Sequence, residues 1–386
     1  MTRVAELAFW LAAAWVAWAL VLYPALAIAL GSLPRRRRAA PPGAAAPRVS
    51  FIISAYNEER SIGEKVRDTL ALDYPPDRLE VIVASDGSTD RTDDVVREIG
   101  DPRVVLHRVE GRVGKTAALN SACAAASGDV FVFSDATGKF SKDALRVLAS
   151  ALADPAVGCV AGRVVYRYGR DATSEGFKGY QRIAVAIRRA ESRFGDQTSV
   201  SGSIHAVRRE CFRPSPPHAS PDVLDAVHAV VAGRRVLYAA DAVSVEESRS
   251  RPHDEFRARV RISIQNNGMA RYVLRELVRA RRWFYLFQMV SHKMMRWWLW
   301  APLLVLLVSS LVLAPRSPWY AAAAALQLAA YGGGLATAFS GPESRRLRPL
   351  AVLGLFVVGN VAMCVGTFRF LLGAEKAAWE PQREEG

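Results

Sequence analysis

Cysteine is scarce and scattered in this chain. Four occur among 386 residues (Cys123, Cys159, Cys211 and Cys364), with no C-x-x-C pair and no histidine at metal-ligand spacing. That excludes a disulfide framework and a structural zinc, and leaves the four as small buried apolar residues. Histidine is equally sparse, at six, and the six form no cluster. Acidic residues are outnumbered, 37 against 51 Lys and Arg, for a formal net charge of +14. Such an excess suits a nucleic-acid binder or the basic flanks of membrane spans. No nucleic-acid recognition motif accompanies it, so nucleic acid is not an expected partner. A complete phosphate-binding loop is missing as well. Gly111-Arg112-Val113-Gly114-Lys115-Thr116 ends like one, but Val109 stands where the first glycine belongs and no strand leads directly into it. Lys115 still opens a helix, where amide donors and a cation coincide and suit a phosphate.

Apolar residues, in contrast, are plentiful. The chain is 51% hydrophobic yet 23% charged, which excludes disorder and collagen and suggests a soluble domain joined to membrane segments. Its length predicts more than one structural unit. Four stretches approach the roughly 20 apolar residues that cross a bilayer: Leu7–Leu33, Trp297–Pro315, Trp319–Ser340 and Leu350–Phe368. The third, rich in Ala and Gly, is the weakest, and a buried hairpin is its alternative. Ala25-Leu26-Ala27 resembles a signal-peptide cleavage site, but the apolar run is too long and the following arginines resist export. Arg35–Arg38 after the first stretch, and Arg345, Arg346 and Arg348 between the third and fourth, place the large middle region in the cytoplasm. An integral protein of the cell (inner) membrane is expected, with both termini outside; Arg369 then falls on the outer side. The expected division is an N-terminal span and basic flank (1–38), a linker (39–47), a cytoplasmic domain (48–254), basic interfacial helices (255–294) and a C-terminal membrane region (295–386). Within Glu255–Arg282 lie Arg257, Arg259, Arg261, Arg271, Arg275, Arg279, Arg281 and Arg282, followed by Trp283, Phe284, Tyr285 and Phe287. Contact with anionic membrane lipids explains both groups.

The middle region alternates strand and helix. Val49–Ser54, Leu79–Ala84, Arg103–Arg108 and Val130–Phe133 read as strands; Ser61–Leu72, Asp90–Ile99 and Lys115–Ser127 read as helices. Alternation predicts an α/β domain, a mostly parallel sheet with helices on both faces. Ligands then bind beyond the carboxyl ends of the strands. Those ends carry Ala55-Tyr56-Asn57-Glu58-Glu59, Ser85-Asp86-Gly87-Ser88-Thr89-Asp90 and Ser134-Asp135-Ala136-Thr137. Asp90 reads as a helix cap. Three acid-bearing turns at successive strand ends need more, because like charges repel until a cation or a donor-rich ligand joins them.

Val49–Asn57, Val81–Asp90, Gly114–Asn120 and Val130–Asp135 together resemble the nucleotide-sugar half of family 2 glycosyltransferases of the GT-A (Rossmann-like) fold. The resemblance covers roughly Arg48 to Asn267, and the flanking spans, about four transmembrane helices, are similar to those of members that build surface polysaccharides or glycolipids. It implies that Tyr56, Asn57 and Glu58 contact the nucleotide, that Asp86 recognises uracil, and that Asp135 is the first acid of a D-x-D motif holding ribose, diphosphate and Mg²⁺ or Mn²⁺. It also implies that Ser201-Gly202-Ser203, with His205 beside it, borders donor sugar and acceptor. Asp222, in Ser220-Pro221-Asp222, matches the general base, although a carboxylate at a helix start also serves as a cap. Two departures stand out. Thr137 replaces the second D-x-D acid, so weaker metal binding is expected. The Q-x-x-R-W of processive members becomes Ala258-Arg259-Val260-Arg261-Ile262, which argues against long-polymer synthesis and leaves Arg261 to pair with the diphosphate. The expected reaction is inverting transfer from a nucleotide sugar, UDP-linked, to a lipid or saccharide hydroxyl. A nucleotidyltransferase and a catalytically weakened binding or scaffold protein are the alternatives. The motifs name neither sugar, acceptor nor oligomeric state.

Overall fold

A computed structural model describes residues 2–33, 46–167, 172–217, 219–247, 252–339 and 351–374. Arg35–Arg38, Arg345–Arg348 and most of the expected linker lie outside these residues. Eight strands form one sheet: β1 (Val49–Ala55), β2 (Leu79–Ser85), β3 (Val104–Arg108), β4 (Val130–Asp135), β5 (Lys139–Phe140), β6 (Val157–Arg167), β7 (His205–Arg208) and β8 (Arg235–Glu247). Their order is β3-β2-β1-β4-β7-β6-β8-β5. The β1–β2, β1–β4, β2–β3 and β6–β8 pairs are parallel; β7 runs against β4 and β6, and β5 against β8. The mostly parallel α/β sheet expected from the sequence is present.

The helices are α1 (Thr2–Ala17), α2 (Tyr23–Ser32), α3 (Ile62–Leu70), α4 (Thr92–Arg97), α5 (Lys115–Ala125), α6 (Ala144–Ala151), α7 (Ala172–Phe194), α8 (Pro221–Val231), α9 (Pro252–Arg279), α10 (Trp283–Met289), α11 (Met295–Trp297), α12 (Trp300–Leu313), α13 (Pro318–Phe339) and α14 (Ala351–Leu371). All seven residues of β1 are buried, as a strand covered on both faces requires. Alternate side chains serve two cores. Ile52, Ile82, Phe131 and Phe133 pack with Leu119 and Cys123 of α5 and Leu224 and Val227 of α8. Phe51, Ile53, Val81 and Val132 pack with Ile62 and Val66 of α3 and Leu145 and Leu148 of α6. No cysteine is paired; Cys123, Cys159 and Cys211 are buried.

Among the described residues, two helices are long and apolar enough to cross a membrane: Thr2–Ser32 and Val352–Leu371. A third exists if Trp283–Trp297 and Trp300–Arg316, bent by 62°, form one span. Against the four expected, α13, with 22 residues, is not among the candidate spans of the described residues. Outward-facing Leu7, Leu11, Val21, Leu304, Val308 and Leu311 are apolar and exposed, a surface that water alone does not favour. A π turn, Trp18–Leu22, joins α1 to α2. Its cause is Pro24, which cannot donate to the carbonyl four residues back. Arg296 Nε donates to the Ala19 carbonyl at 3.1 Å and Trp15 Nε1 to that of Met295 at 3.0 Å. Below the turn, Tyr23 Oη donates to Glu191 Oε1 of α7 at 2.6 Å, and His292 Nδ1 meets the same oxygen at 2.7 Å. The N-terminal helix is thereby latched to α7. Helix α9 lies along α14: Ser263 Oγ donates to the Met363 carbonyl at 2.7 Å and Asn267 Nδ2 to Thr367 Oγ1 at 3.1 Å. Trp283, Phe284 and Phe287 remain exposed beside it.

Candidate active site

The carboxyl ends of β1, β2, β4 and β8 lie at one edge of the sheet, with the amino end of β7 among them. Ser54 is in register with Asp135, and Ala55 with Ser85. The first two turns are tied to one another. Asn57, in the left-handed region at φ 54°, accepts at Oδ1 from the Thr89 amide at 2.7 Å, and its own amide donates to Ser88 Oγ at 3.1 Å. The Glu58 amide donates to Thr92 Oγ1 at 2.7 Å, and Ser61 Oγ donates to the Glu58 carboxylate at 2.6 Å. Asp90 Oδ1 accepts from the Thr92 amide at 3.0 Å; the N-cap of α4 is Arg91, so Asp90 stands one residue before the cap position expected of it. The Arg112 guanidinium lies 4.2 Å over the Tyr56 ring. Buried Asp86 accepts from the amides of Val113 at 2.9 Å and Gly114 at 3.0 Å. It therefore anchors the loop that delivers Lys115. Gly87 is required here, since a Cβ on it would stand 2.2 Å from the Gly111 carbonyl oxygen.

Lys115 reaches from the start of α5 to form an ion pair with Asp135 at the end of β4. Ser54 Oγ donates to Asp135 Oδ1 and Ser203 Oγ to Oδ2, each at 3.1 Å. Burial pushes the Asp135 carboxyl up, but Lys115 and the two hydroxyls outweigh it and hold the group below the usual carboxylate range. Burial likewise opposes the Lys115 charge; Asp135 and then Asp222 outweigh it, and the ammonium is favoured although Arg261 repels it. Lys115, Asp135, Asp222 and Arg261 are thus one electrostatic group. Burial pushes the Arg261 guanidinium down, and Asp135 works against that.

Asp222 stands in the first turn of α8, beyond the N-cap Ser220. Its carbonyl accepts from the Val200 amide at 2.8 Å. A Cβ on Gly202 would lie 2.9 Å from Asp222 Oδ1, so the Ser201–Ser203 loop passes directly over the carboxylate. Among the described residues the Asp222 carboxylate accepts no hydrogen bond, so it is not spent on capping. His205 is buried at the start of β7. Its Nδ1 lies 2.8 Å from the Ser201 carbonyl and its Nε2 3.0 Å from Asp225 Oδ2, and its ring stacks on Phe133 at 4.7 Å. One imidazole therefore joins the loop over Asp222 to the helix that carries Asp222. Burial pushes the Asp225 carboxyl up, and His205 works against it.

Sequence reasoning missed Ser54, Asp225, Lys65 and Glu246. Lys65, on α3, donates to the Gly138 carbonyl and lies 4.5 Å from the Phe140 ring centroid; burial pushes its amine down to about 7. Only the regular alternation of Val243-Ser244-Val245-Glu246 hinted at an inward-facing position on β8. Among the described residues no three His, Cys, Asp or Glu side chains gather as a metal cage. The donor set nevertheless suits a hard cation that takes oxygen ligands and leans on phosphate: the Asp135 carboxylate, the Ser54 and Ser203 hydroxyls, and Glu246 Oε1, buried without a hydrogen-bond partner.

Acid-bearing turns and a basic helix start lie at the carboxyl edge of a sheet that resembles the GT-A fold. Residues 50–213 match the family described as Glycosyl transferase family 2. It is 32% identical over 219 residues to a beta-monoglucosyldiacylglycerol synthase of Synechocystis sp., covering 54% of this chain and 44% of that protein. A poly-beta-1,6-N-acetyl-D-glucosamine synthase of Staphylococcus aureus is 28% identical over 162 residues, 40% of this chain and 38% of that one. The chain spans under half the length of these curated relatives. Among solved structures, the mannosyltransferase PcManGT from Pyrobaculum calidifontis, in complex with GDP-Man and Mn²⁺, matches with a TM-score of 0.69 at 24% identity, over 96% of this chain and 99% of that one. That likeness is one of fold.

Proposed function

We propose that the protein is an inverting glycosyltransferase that moves a sugar from a nucleotide-sugar donor, a UDP-sugar, to a hydroxyl of a lipid or saccharide at the cytoplasmic face of the cell membrane. One observation carries the reading: a carboxylate without a donor, Asp222, stands in the same electrostatic group as two cations, Lys115 and Arg261. That pairs a proton acceptor with a cradle for departing negative charge. Tyr56, Asn57, Glu58 and Asp86 receive the nucleoside. Ser201, Gly202, Ser203 and His205 border the sugar and the incoming hydroxyl. Asp222 takes the proton of that hydroxyl as its oxygen attacks the anomeric carbon, a general-base contribution on the order of 10²–10⁴-fold. The carbon–oxygen bond to the diphosphate breaks in the same displacement, so the configuration inverts. Lys115 and Arg261 hold the charge that develops on the leaving diphosphate. Bound at Asp135, Mg²⁺ or Mn²⁺ supplies further neutralisation of that diphosphate.

Arg35–Arg38 and the exposed Trp283 and Phe284 support the cytoplasmic orientation, in which lipid-borne acceptors reach the site from the membrane surface. Ile262, in place of the tryptophan of processive members, supports one or a few transfers per encounter. The test is direct. Purified full-length protein in lipid is incubated with UDP- and GDP-sugars, native membrane lipids and Mg²⁺ or Mn²⁺. Release of nucleoside diphosphate with a glycosylated lipid or saccharide of inverted configuration is expected. Pyrophosphate release, or silence with every donor, overturns the reading.

A further inference from the structure

At the turn after β4, Thr137 is followed by Gly138, and a strand from elsewhere in the chain runs beside that glycine. Gly138 pairs its flanks with β8: Lys139 is in register with Val245, and Phe140 with Ser244. This pairing carries residues 244–246 to the turn that follows Asp135. A Cβ placed on Gly138 would lie 2.9 Å from Ser244 Oγ, 3.6 Å from Glu246 Oε1 and 3.7 Å from Ser134 Oγ. The bare face of Gly138 is thus ringed by oxygen. Two of these atoms, Ser244 Oγ and Glu246 Oε1, are buried without a hydrogen-bond partner, and Ser244 is fully buried. Ser203 links this ring to the D-x-D acid. Its hydroxyl donates to Asp135 Oδ2 at 3.1 Å; burial pushes the Glu246 carboxyl up, and Ser203 works against it.

A carboxylate oxygen buried without a donor, beside a second carboxylate, is costly unless a cation or a proton joins it. Lys115 and Lys65 act on the Glu246 carboxylate through space, but Oε1 has no hydrogen-bond partner, and Lys65 donates to the Gly138 carbonyl. Lys115 is committed to Asp135. We infer that Glu246 supplies the second carboxylate of the divalent-cation site, taking over from β8 the part left vacant by Thr137, with Ser244 and Ser203 orienting it. This inference rests on the nucleotide-sugar reading above. Two carboxylates from different strands, completed by diphosphate oxygens and water, match what Mg²⁺ or Mn²⁺ accepts. They also explain why a chain with a broken D-x-D motif keeps the rest of the site whole.

The test measures metal directly. Full-length protein in lipid nanodiscs, saturated with UDP, is titrated with Mn²⁺, and the free ion is followed by electron paramagnetic resonance; UDP binding is measured separately by calorimetry. Glu246→Gln keeps shape and is expected to weaken Mn²⁺ binding on the order of 10–100-fold. Thr137→Asp added to it restores binding, because both positions serve one ion. Thermal melting checks that each variant is folded. Mn²⁺ held equally by wild type and Glu246→Gln, or lost in Glu246→Gln and not restored by Thr137→Asp, overturns the inference alone. Absence of UDP binding by the wild type overturns the reading beneath it as well.

Discussion

The two halves of the polar edge differ in how completely they satisfy themselves. On the donor side, between β1 and β4, the acids are already partnered. Asp86 holds two amides, Asp90 holds the Thr92 amide, Asp93 accepts from Ser85 and Arg108, and Asp135 is paired with Lys115. On the acceptor side, Asp222 has no donor among the described residues, and Glu246 Oε1, Ser244 Oγ and Asp225 Oδ1 are buried without one. Full partnering fixes the nucleotide turns before any ligand arrives, which lowers the ordering cost of binding. In the proposed reaction, the open valences are where substrate, proton and cation would enter.

The contrast is broken most sharply at Asp222. Asp222→Asn is expected to lower turnover about 10²–10⁴-fold while UDP affinity, by calorimetry, stays within about twofold; loss of UDP binding would move Asp222 to the donor side. Next comes acid stability on the acceptor side. Burial, and then Arg213, push His228 of α8 down to about 4. The unfolded chain therefore takes up this proton first as pH falls from about 6.5 to 4, and stability drops across that window by up to about 3 kcal/mol. Chemical denaturation of wild type and His228→Leu should show the slope in the first and its loss in the second. On the donor side, Lys115→Met leaves Asp135 without its counter-charge. A loss of about 2 kcal/mol is expected, less than for a fully buried pair because both side chains keep some solvent contact, and UDP affinity should fall with it. The smallest effect belongs to His205, a positioning residue. His205→Ala is expected to lower kcat about tenfold with KM for the donor unchanged, short of the ~10²-fold cost of a full ångström of misplacement. His205→Gln, which can still bond the Ser201 carbonyl, should recover most of it.

The same contrast explains what the sequence disclosed. Strands β1, β2 and β4 were legible because buried apolar runs end in acid-bearing turns a few residues long. Their partners lie within those turns or one strand away. Asp222 was legible only through the family pattern. Glu246 was not, since it acts through a pairing of β5 with β8 across about 100 residues and through a glycine, Gly138, whose spatial neighbours no local pattern encodes. Asp225 hid for a similar reason: in sequence it is one more polar residue on an amphipathic helix, and only His205 from β7 gives it a task. The latch of Tyr23, Glu191 and His292 joins three residues that each look unremarkable alone.

That latch bears on how the enzyme can be handled. Trimming residues 2–33 to obtain a water-soluble catalytic fragment would strip the phenol from Glu191, leave Ala190 facing an empty groove where Gly31 had nested, and free Arg193 from the Gly31 carbonyl. The leading helix is a piece of the scaffold as much as a tether, and a fragment lacking it would come out of the cell as sticky, half-assembled material.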